Sequence, residues 1–216
     1  MWEHISDLKN SEEGKDVYII GSGKSLDYIN LSFFDGKTTI GISDVHKQIE
    51  CKYNVTKEGQ HLKRIINESD STFIVSHYCN GRLGFTSNKV DIDETHYYFE
   101  HKSNDHELHL EELDSDRIIV SWATVNTALH IAYYLGAKNI ILAGCDCGTI
   151  DGESNYNNYR DKDSPAPPIN KKWYDNWLKN ISKDILILAN ELRKRGIGVI
   201  SLNPFINFQL EGHIYK

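Results

Sequence analysis

A chain of 216 residues, 39% hydrophobic and 25% charged, has the make-up of one ordinary globular domain and is long enough to bury a sizeable core. Its formal net charge of -7 excludes general duplex binding, which needs a basic face against the phosphates, so no nucleic acid is expected as a partner. No apolar run approaches the roughly 20 residues needed to cross a bilayer, and Met1-Trp2-Glu3-His4 opens no secretory signal, so the chain reads as cytoplasmic with no membrane span.

In chain order, Val17-Tyr18-Ile19-Ile20 is a short apolar run closed by Gly21-Ser22-Gly23, a buried strand followed by a tight turn. Residues 38–43 read as a second strand and 51–55 as a weaker third. His61, Leu62, Ile65 and Ile66 lie at helical spacing, and 72–76 is a further strand. Residues 80–117 are polar and rich in Asp, Glu and His; with the aromatic patch at His96-Tyr97-Tyr98-Phe99 they read as an irregular insertion carrying an extra hairpin.

Val125, Ala128, Leu129, Ala132 and Tyr133 mark an amphipathic helix, with Ser121 or Thr124 as its cap and Gly136 as its end. Residues 139–144 form a buried strand. The long polar stretch at about 148–172 is expected to be a lid over a ligand. Trp177, Ile181, Ile185, Leu188 and Leu192 form the stripe of a long helix ending at Gly196, and 197–202 is a last strand. Strands alternating with helices predict a single α/β domain over 1–216: a doubly wound, mostly parallel, Rossmann-like sheet with helices on both faces and a lid loop before the last helix. The cysteines, Cys51, Cys79, Cys145 and Cys147, form no disulfide framework, and the histidines show no zinc-type spacing. Reduced thiols and no metal site are expected.

Open sheets of this kind bind ligands outside the carboxyl ends of their strands. Those ends are small or polar here: Ser22, Ser43 and Asp44, Asn54, Gly144 and Asp146, and Asn203. Gly21-Ser22-Gly23-Lys24-Ser25 is the most conspicuous motif, yet it is neither a Walker A loop, because Tyr18 stands where that loop needs glycine, nor a dinucleotide fingerprint, because Leu26 does. A shorter glycine turn still lets backbone N–H groups approach an anion. A β-branched residue at 23 would block that approach and disfavour a positive φ.

Ile-Ile-Gly-Ser-Gly-Lys-Ser-Leu at 19–26 resembles the G-x-G-x-S-L opening of the small bacterial sialyltransferases that use CMP-sialic acid. It also resembles the related family of archaeal 6-hydroxymethylpterin diphosphokinases and motility-associated flagellin-glycosylation factors. The stretch 121–152, a helix ending in Leu-Gly-Ala-Lys-Asn that runs into Ile-Ile-Leu-Ala-Gly-Cys-Asp, extends the likeness, and the element order fits over about 17–204. The resemblance implies that Ser22, Gly23 and Ser25 contact a nucleotide's phosphate and sugar, and Gly21, in the same turn, is expected to bind the nucleotide with them. It puts Ser43, Asn54, Thr124 and Gly144 in the same site, with Asp146 on the cytidine side; Asp44 is expected there as a polar strand end. Tyr156 and Tyr159 would serve the departing phosphate, and Asp146 or Asp151 would take the proton or hold a divalent ion. The sequence departs from the sialyltransferases at Cys147-Gly148, where they carry an aromatic pair, and has no histidine between Gly148 and Asp184.

The leading expectation is therefore a nucleotide-sugar-dependent glycosyltransferase of unspecified donor and acceptor, with a nucleotide or nucleotide sugar as its ligand. A pterin-type diphosphokinase using ATP and Mg is the second reading and a non-catalytic nucleotide-binding protein the third; a homo-oligomer stays open.

Overall fold

The computed structural model describes residues 1–57, 62, 65–79, 82–83, 95–102, 107–148, 150, 153 and 171–203. The apolar runs become strands. β1 (Trp2–His4), β2 (Asp16–Ile20), β3 (Thr38–Ile42), β4 (Tyr53–Thr56) and β5 (Thr72–Ser76) belong to one sheet. A small antiparallel pair, β6 (Tyr78–Cys79) and β7 (Arg82–Leu83), stands apart from it. β8 (His96–Phe99), β9 (Asn139–Ala143) and β10 (Gly198–Ser201) complete the sheet. Its eight strands run in the order β1-β8-β5-β4-β3-β2-β9-β10, and every pairing is parallel.

Register follows the alternation of side chains. Leu142, Ile19, Ile40 and Tyr53 lie in one row across β9, β2, β3 and β4, all buried on the same face. That face is covered by helix α1 (Thr124–Tyr134) and helix α2 (Lys171–Lys194), which pack on each other as well as on the sheet. On the other face Ile20, Ile141 and Ala143 pack with Leu26, Phe34, Val45 and Cys51, which belong to short 3₁₀ turns and the loops beside them. Phe73 and Val75 pack there with Leu62, Ile65 and Ile66. Each such aliphatic side chain contributes about 1.5–3 kcal/mol on burial. Among the described residues no helix is long and apolar enough to cross a membrane.

Three expectations change. Residues 96–99, read as a patch in an irregular insertion, form an interior strand of the main sheet between β1 and β5. Its histidine hid it: His96 is buried, accepts the Phe73 N–H at Nδ1 (3.1 Å), and is pushed down to about 4 by burial and by the N-terminal charge. The N-cap of α1 is Ala123, which has no capping side chain; Ser121 Oγ instead accepts from Asn126 Nδ2 at 2.7 Å. The C-terminus of α1 does end at Gly136, whose φ is +88°. The N–H groups of Gly136 and Ala137 close a Schellman motif on Tyr133 and Ala132. Asn54 is the second residue of β4 rather than its carboxyl end, and it is fully buried.

The amino end of the sheet is fixed by Glu12, which is 1% exposed. The N–H groups of Asn10, Glu12 and Gly14 donate to the carbonyls of Tyr134, Leu135 and Gly136, so this loop seats on the end of α1. The Glu12 carboxylate accepts from Lys52 Nζ (2.5 Å), Tyr53 OH (2.7 Å), Lys15 Nζ (2.9 Å) and Thr38 Oγ1 (3.2 Å), joining the starts of β2, β3 and β4. Burial alone would raise its pKa; the hydrogen bonds from Lys52, Lys15 and Tyr53 and the Lys52 charge outweigh that and lower it to about 2. Because the folded value lies below the unfolded one, the stabilisation is present above about pH 4.5 and fades as pH falls toward 2. Glu12→Gln is expected to lower unfolding free energy near neutrality by about 1–3 kcal/mol. It is also expected to flatten the acid limb of stability, read by urea titration at several pH values. A variant with the parent's acid limb would refute this role.

Candidate functional site

The sheet's direction of growth reverses between β2 and β9. From β2 the chain builds outward through β3, β4 and β5; β9 and β10 lie on the other side. That reversal makes a crevice at the carboxyl ends of β2 and β9, the usual ligand position in such sheets. The glycine turn at 21–23 and the run Gly144 to Asp146 meet there.

Their meeting is close. The Gly21 N–H donates to Ala143 O (2.8 Å) and the Gly23 N–H to Gly144 O (2.7 Å), carrying the ladder past the strands. A Cβ on Gly21 would stand 2.6 Å from Gly144 O. A Cβ on Gly23 would stand 2.6 Å from both Gly144 O and the Asp146 carboxyl. Gly144 has φ +61°, and Cys147, two residues after Cys145, has φ +49°, uncommon for a residue with a side chain. These two left-handed residues flank Asp146 and turn the chain, so that its carboxylate points back across the crevice.

Asp146 is 7% exposed and holds three donors. Its Oδ2 accepts the Ser25 N–H at 2.8 Å. Its Oδ1 accepts the Ser25 hydroxyl and, at 2.6 Å, the Asn203 side-chain amide that follows β10. Gly23 is the N-cap of the 3₁₀ turn Lys24–Tyr28 and has no side chain to cap it. Asp146 supplies that cap from another strand. Burial raises the Asp146 pKa; the Ser25 and Asn203 hydrogen bonds act against it.

The structure brings Gly21, Gly23, Ser25, Gly144 and Asp146 together at the ends of β2 and β9. The N–H groups of Gly23 and Ser25, expected to face a phosphate, are spent on Gly144 and Asp146. The φ of Gly23 is -68°, so its need is space and not a left-handed backbone. Lys24, the tempting Walker lysine, pairs with Asp27 at 2.9 Å, and that hydrogen bond raises its pKa. Ser22 is half-buried beside the turn. Ser43 opens the 3₁₀ turn Ser43–Lys47 at the end of β3, where Asp44 has φ -89° and ψ 16°. Thr124 is the first residue of α1. Asp151, Tyr156, Tyr159 and most of the expected lid lie outside the described residues.

Cys145 and Cys147 are poor nucleophiles here: burial raises both pKa values, that of Cys147 to about 12 with help from the Asp146 charge. Among the described residues no group of three or more His, Cys, Asp or Glu could hold a metal ion.

Sequence reasoning named Asn203 as a strand end and missed its bond to Asp146. It also passed over Asp184, 7% exposed on α2. A signal was there, since Asp184 lies three residues after Ile181 and four before Leu188, on the apolar stripe itself.

The chain shares its fold with bacterial sialyltransferases from Campylobacter jejuni. Against CstII in complex with the substrate analogue CMP-3FNeuAc, the TM-score is 0.53 at 20% identity, covering 92% of this chain and 86% of that one. Against CstII with cytidine-5'-monophosphate, the TM-score is 0.52 at 18% identity, covering 93% and 85%. Against the monofunctional α-2,3-sialyltransferase Cst-I it is 0.53 at 16%, covering 94% and 82%. No protein-family model matches the sequence, and no curated protein does.

Two glycines separate close packing from mere flexibility. Gly23→Ala forces a Cβ against a backbone carbonyl and the Asp146 carboxyl, and is expected to cost about 1–3 kcal/mol of stability, the usual range for overpacking. Gly148→Ala meets nothing nearer than 3.7 Å and should change stability by less than about 0.5 kcal/mol. Chemical denaturation of both variants reads the difference; equal losses would refute the packing argument.

Proposed function

We propose that this protein binds a nucleotide sugar across the carboxyl ends of its central strands and transfers the sugar to an acceptor hydroxyl. The observation that carries the reading is the clamp at the switch point. Asp146, Ser25 and Asn203 fix three strand ends around the crevice, in a fold shared with sialyltransferases whose structures hold CMP-3FNeuAc and CMP. Such a transfer asks the protein to position two partners, to stabilise charge on a departing phosphate and to accept one proton.

In this reading Asp146 and Ser25 shape the turn, and the nucleotide contacts fall to groups that flank the clamp. Ser22 stands at the end of β2 and Ser43 and Asp44 at the end of β3. Thr124 opens α1, whose first-turn N–H groups and dipole favour a phosphate nearby. Asn54, buried within β4, is the proposed residue nearest the transferred group. Tyr156 and Tyr159 are the proposed partners of the departing phosphate. Asp151 would be needed beside Asp146 for any Mg-dependent chemistry.

A thermal-shift titration tests the proposal directly. A cytidine or uridine nucleotide is expected to raise the melting temperature, with about 2.7 kcal/mol of added stability at a hundred times its Kd. A nucleotide sugar should then be consumed in the presence of a sugar acceptor. A shift with ATP and Mg alone would point to phosphoryl transfer, and a shift without any turnover to a binding protein; either would overturn the glycosyltransferase reading. Asp146→Asn places an amide N–H₂ against donors on Ser25 or Asn203. It is expected to lower both stability and nucleotide affinity, each by about 1–3 kcal/mol.

A further inference from the structure

The loop that enters α1 stands over the end of β4. Lys57, directly after β4, donates from Nζ to the carbonyls of Ser121 (3.0 Å) and Trp122 (3.2 Å). Ser121 is 2% exposed and accepts from Asn126 on its other side. Asp184 of α2 comes up against the same serine, which hydrogen-bonds its carboxyl. On the two helices three buried polar atoms make no hydrogen bond: Asp184 Oδ2, Asn126 Oδ1 and Thr127 Oγ1. Asn126 and Thr127 are fully buried. An amide and a carboxylate oxygen left without donors in the interior are costly and scarce in native folds. Asn126 and Asp184 both hydrogen-bond Ser121, and their two unpaired acceptors suit a ligand that brings two donors, as neighbouring sugar hydroxyls do.

We propose that Asp184 is the proton acceptor of the transfer, taking the hydroxyl proton of a sugar acceptor on Oδ2 while Asn126 Oδ1 orients a neighbouring hydroxyl. This rests on the glycosyltransferase reading and adds to it the acceptor class and the base. The acceptor O–H bond breaks and its proton goes to Asp184. The oxygen's electron pair forms the new bond to the sugar's anomeric carbon. The bond from that carbon to the nucleotide phosphate breaks, and its pair leaves on the phosphate. Asp184 then returns the proton to water.

Burial raises the Asp184 pKa, with the Ser121 hydrogen bond and the Lys183 charge acting against it. Lys57 lies across the entry loop, and His130 on α1, with Asp114 and Arg195 near it, is pushed down to about 3 by burial and stays neutral. A base must be unprotonated, so activity should fall as pH drops through the raised pKa of Asp184.

The test begins with wild-type transfer from a nucleotide sugar to a sugar acceptor. Asp184→Asn should reduce kcat by on the order of a hundredfold or more, keep nucleotide affinity within about twofold, and abolish the acidic limb of the pH profile. Asp184→Ala should regain activity with added formate or azide. Wild-type kcat and an unchanged acidic limb in Asp184→Asn would overturn this role and leave the nucleotide reading standing. A wild-type protein that binds no nucleotide overturns the reading beneath it. If both variants unfold, carboxyl NMR of wild-type Asp184 decides: titration along the acidic limb supports the role, and titration elsewhere overturns it.

Discussion

Two parallel strands lie about 4.8 Å apart, and their chains must separate where the sheet reverses direction. Here they do not separate at once. β2 and β9 continue to hydrogen-bond through Gly21 and Gly23, so the two backbones stay in contact past the last paired residues. That continuation is sterically open only to glycine at 21, 23 and 144. Once it is made, the left-handed turn at Gly144 and Cys147 aims Asp146 at the uncapped 3₁₀ turn, and Asn203 closes the clamp from β10. The geometry of the candidate site hangs on this contact between two backbones.

The two ends of the sheet handle buried carboxylates in opposite ways. Glu12, at the amino end, faces the cations Lys15 and Lys52, which overcome the effect of burial and keep it ionised. Asp146 and Asp184, at the other end, have neutral hydrogen-bond partners, so burial prevails and their pKa values rise. A carboxylate tied to cations is a fixed anchor. One held by hydroxyls and amides can exchange a partner or a proton with a ligand, and raised carboxylates gather at functional sites for that reason. The amino end is therefore the stabilising edge of the domain, while the carboxyl end keeps carboxylates whose pKa values burial raises.

Both helices end in the same way, at Gly136 and Gly196 with left-handed φ values, and lead at once into β9 and β10. The sharp stops keep the connections to these strands short and fix where β9 begins. Since its length sets where Gly144 falls, the placement of the clamp begins at the far end of the sheet, where the 9–15 loop and Glu12 seat the end of α1.

The sequence by itself determined the central strands, the two helices and the glycine turn. These are local signals: apolar runs closed by glycine, a 3.6-residue stripe and helix-ending glycines all act within a few residues. It also pointed to Gly144 and Asp146 through their place after a buried strand. Strand β8 escaped it because buried His96 is stabilised by a backbone N–H from β5, a partner 23 residues away. The capping of the Lys24–Tyr28 turn escaped for the same reason, since its carboxylate comes from 121 residues further along. Asp184 was visible as an acid on an apolar stripe, but only the packing of α2 against Ser121 and α1 made it a buried group with an unpaired oxygen. Tertiary structure decided which polar residues meet, because a buried carboxylate's partners and charge are set by what the fold brings within hydrogen-bond distance, not by its neighbours in the chain.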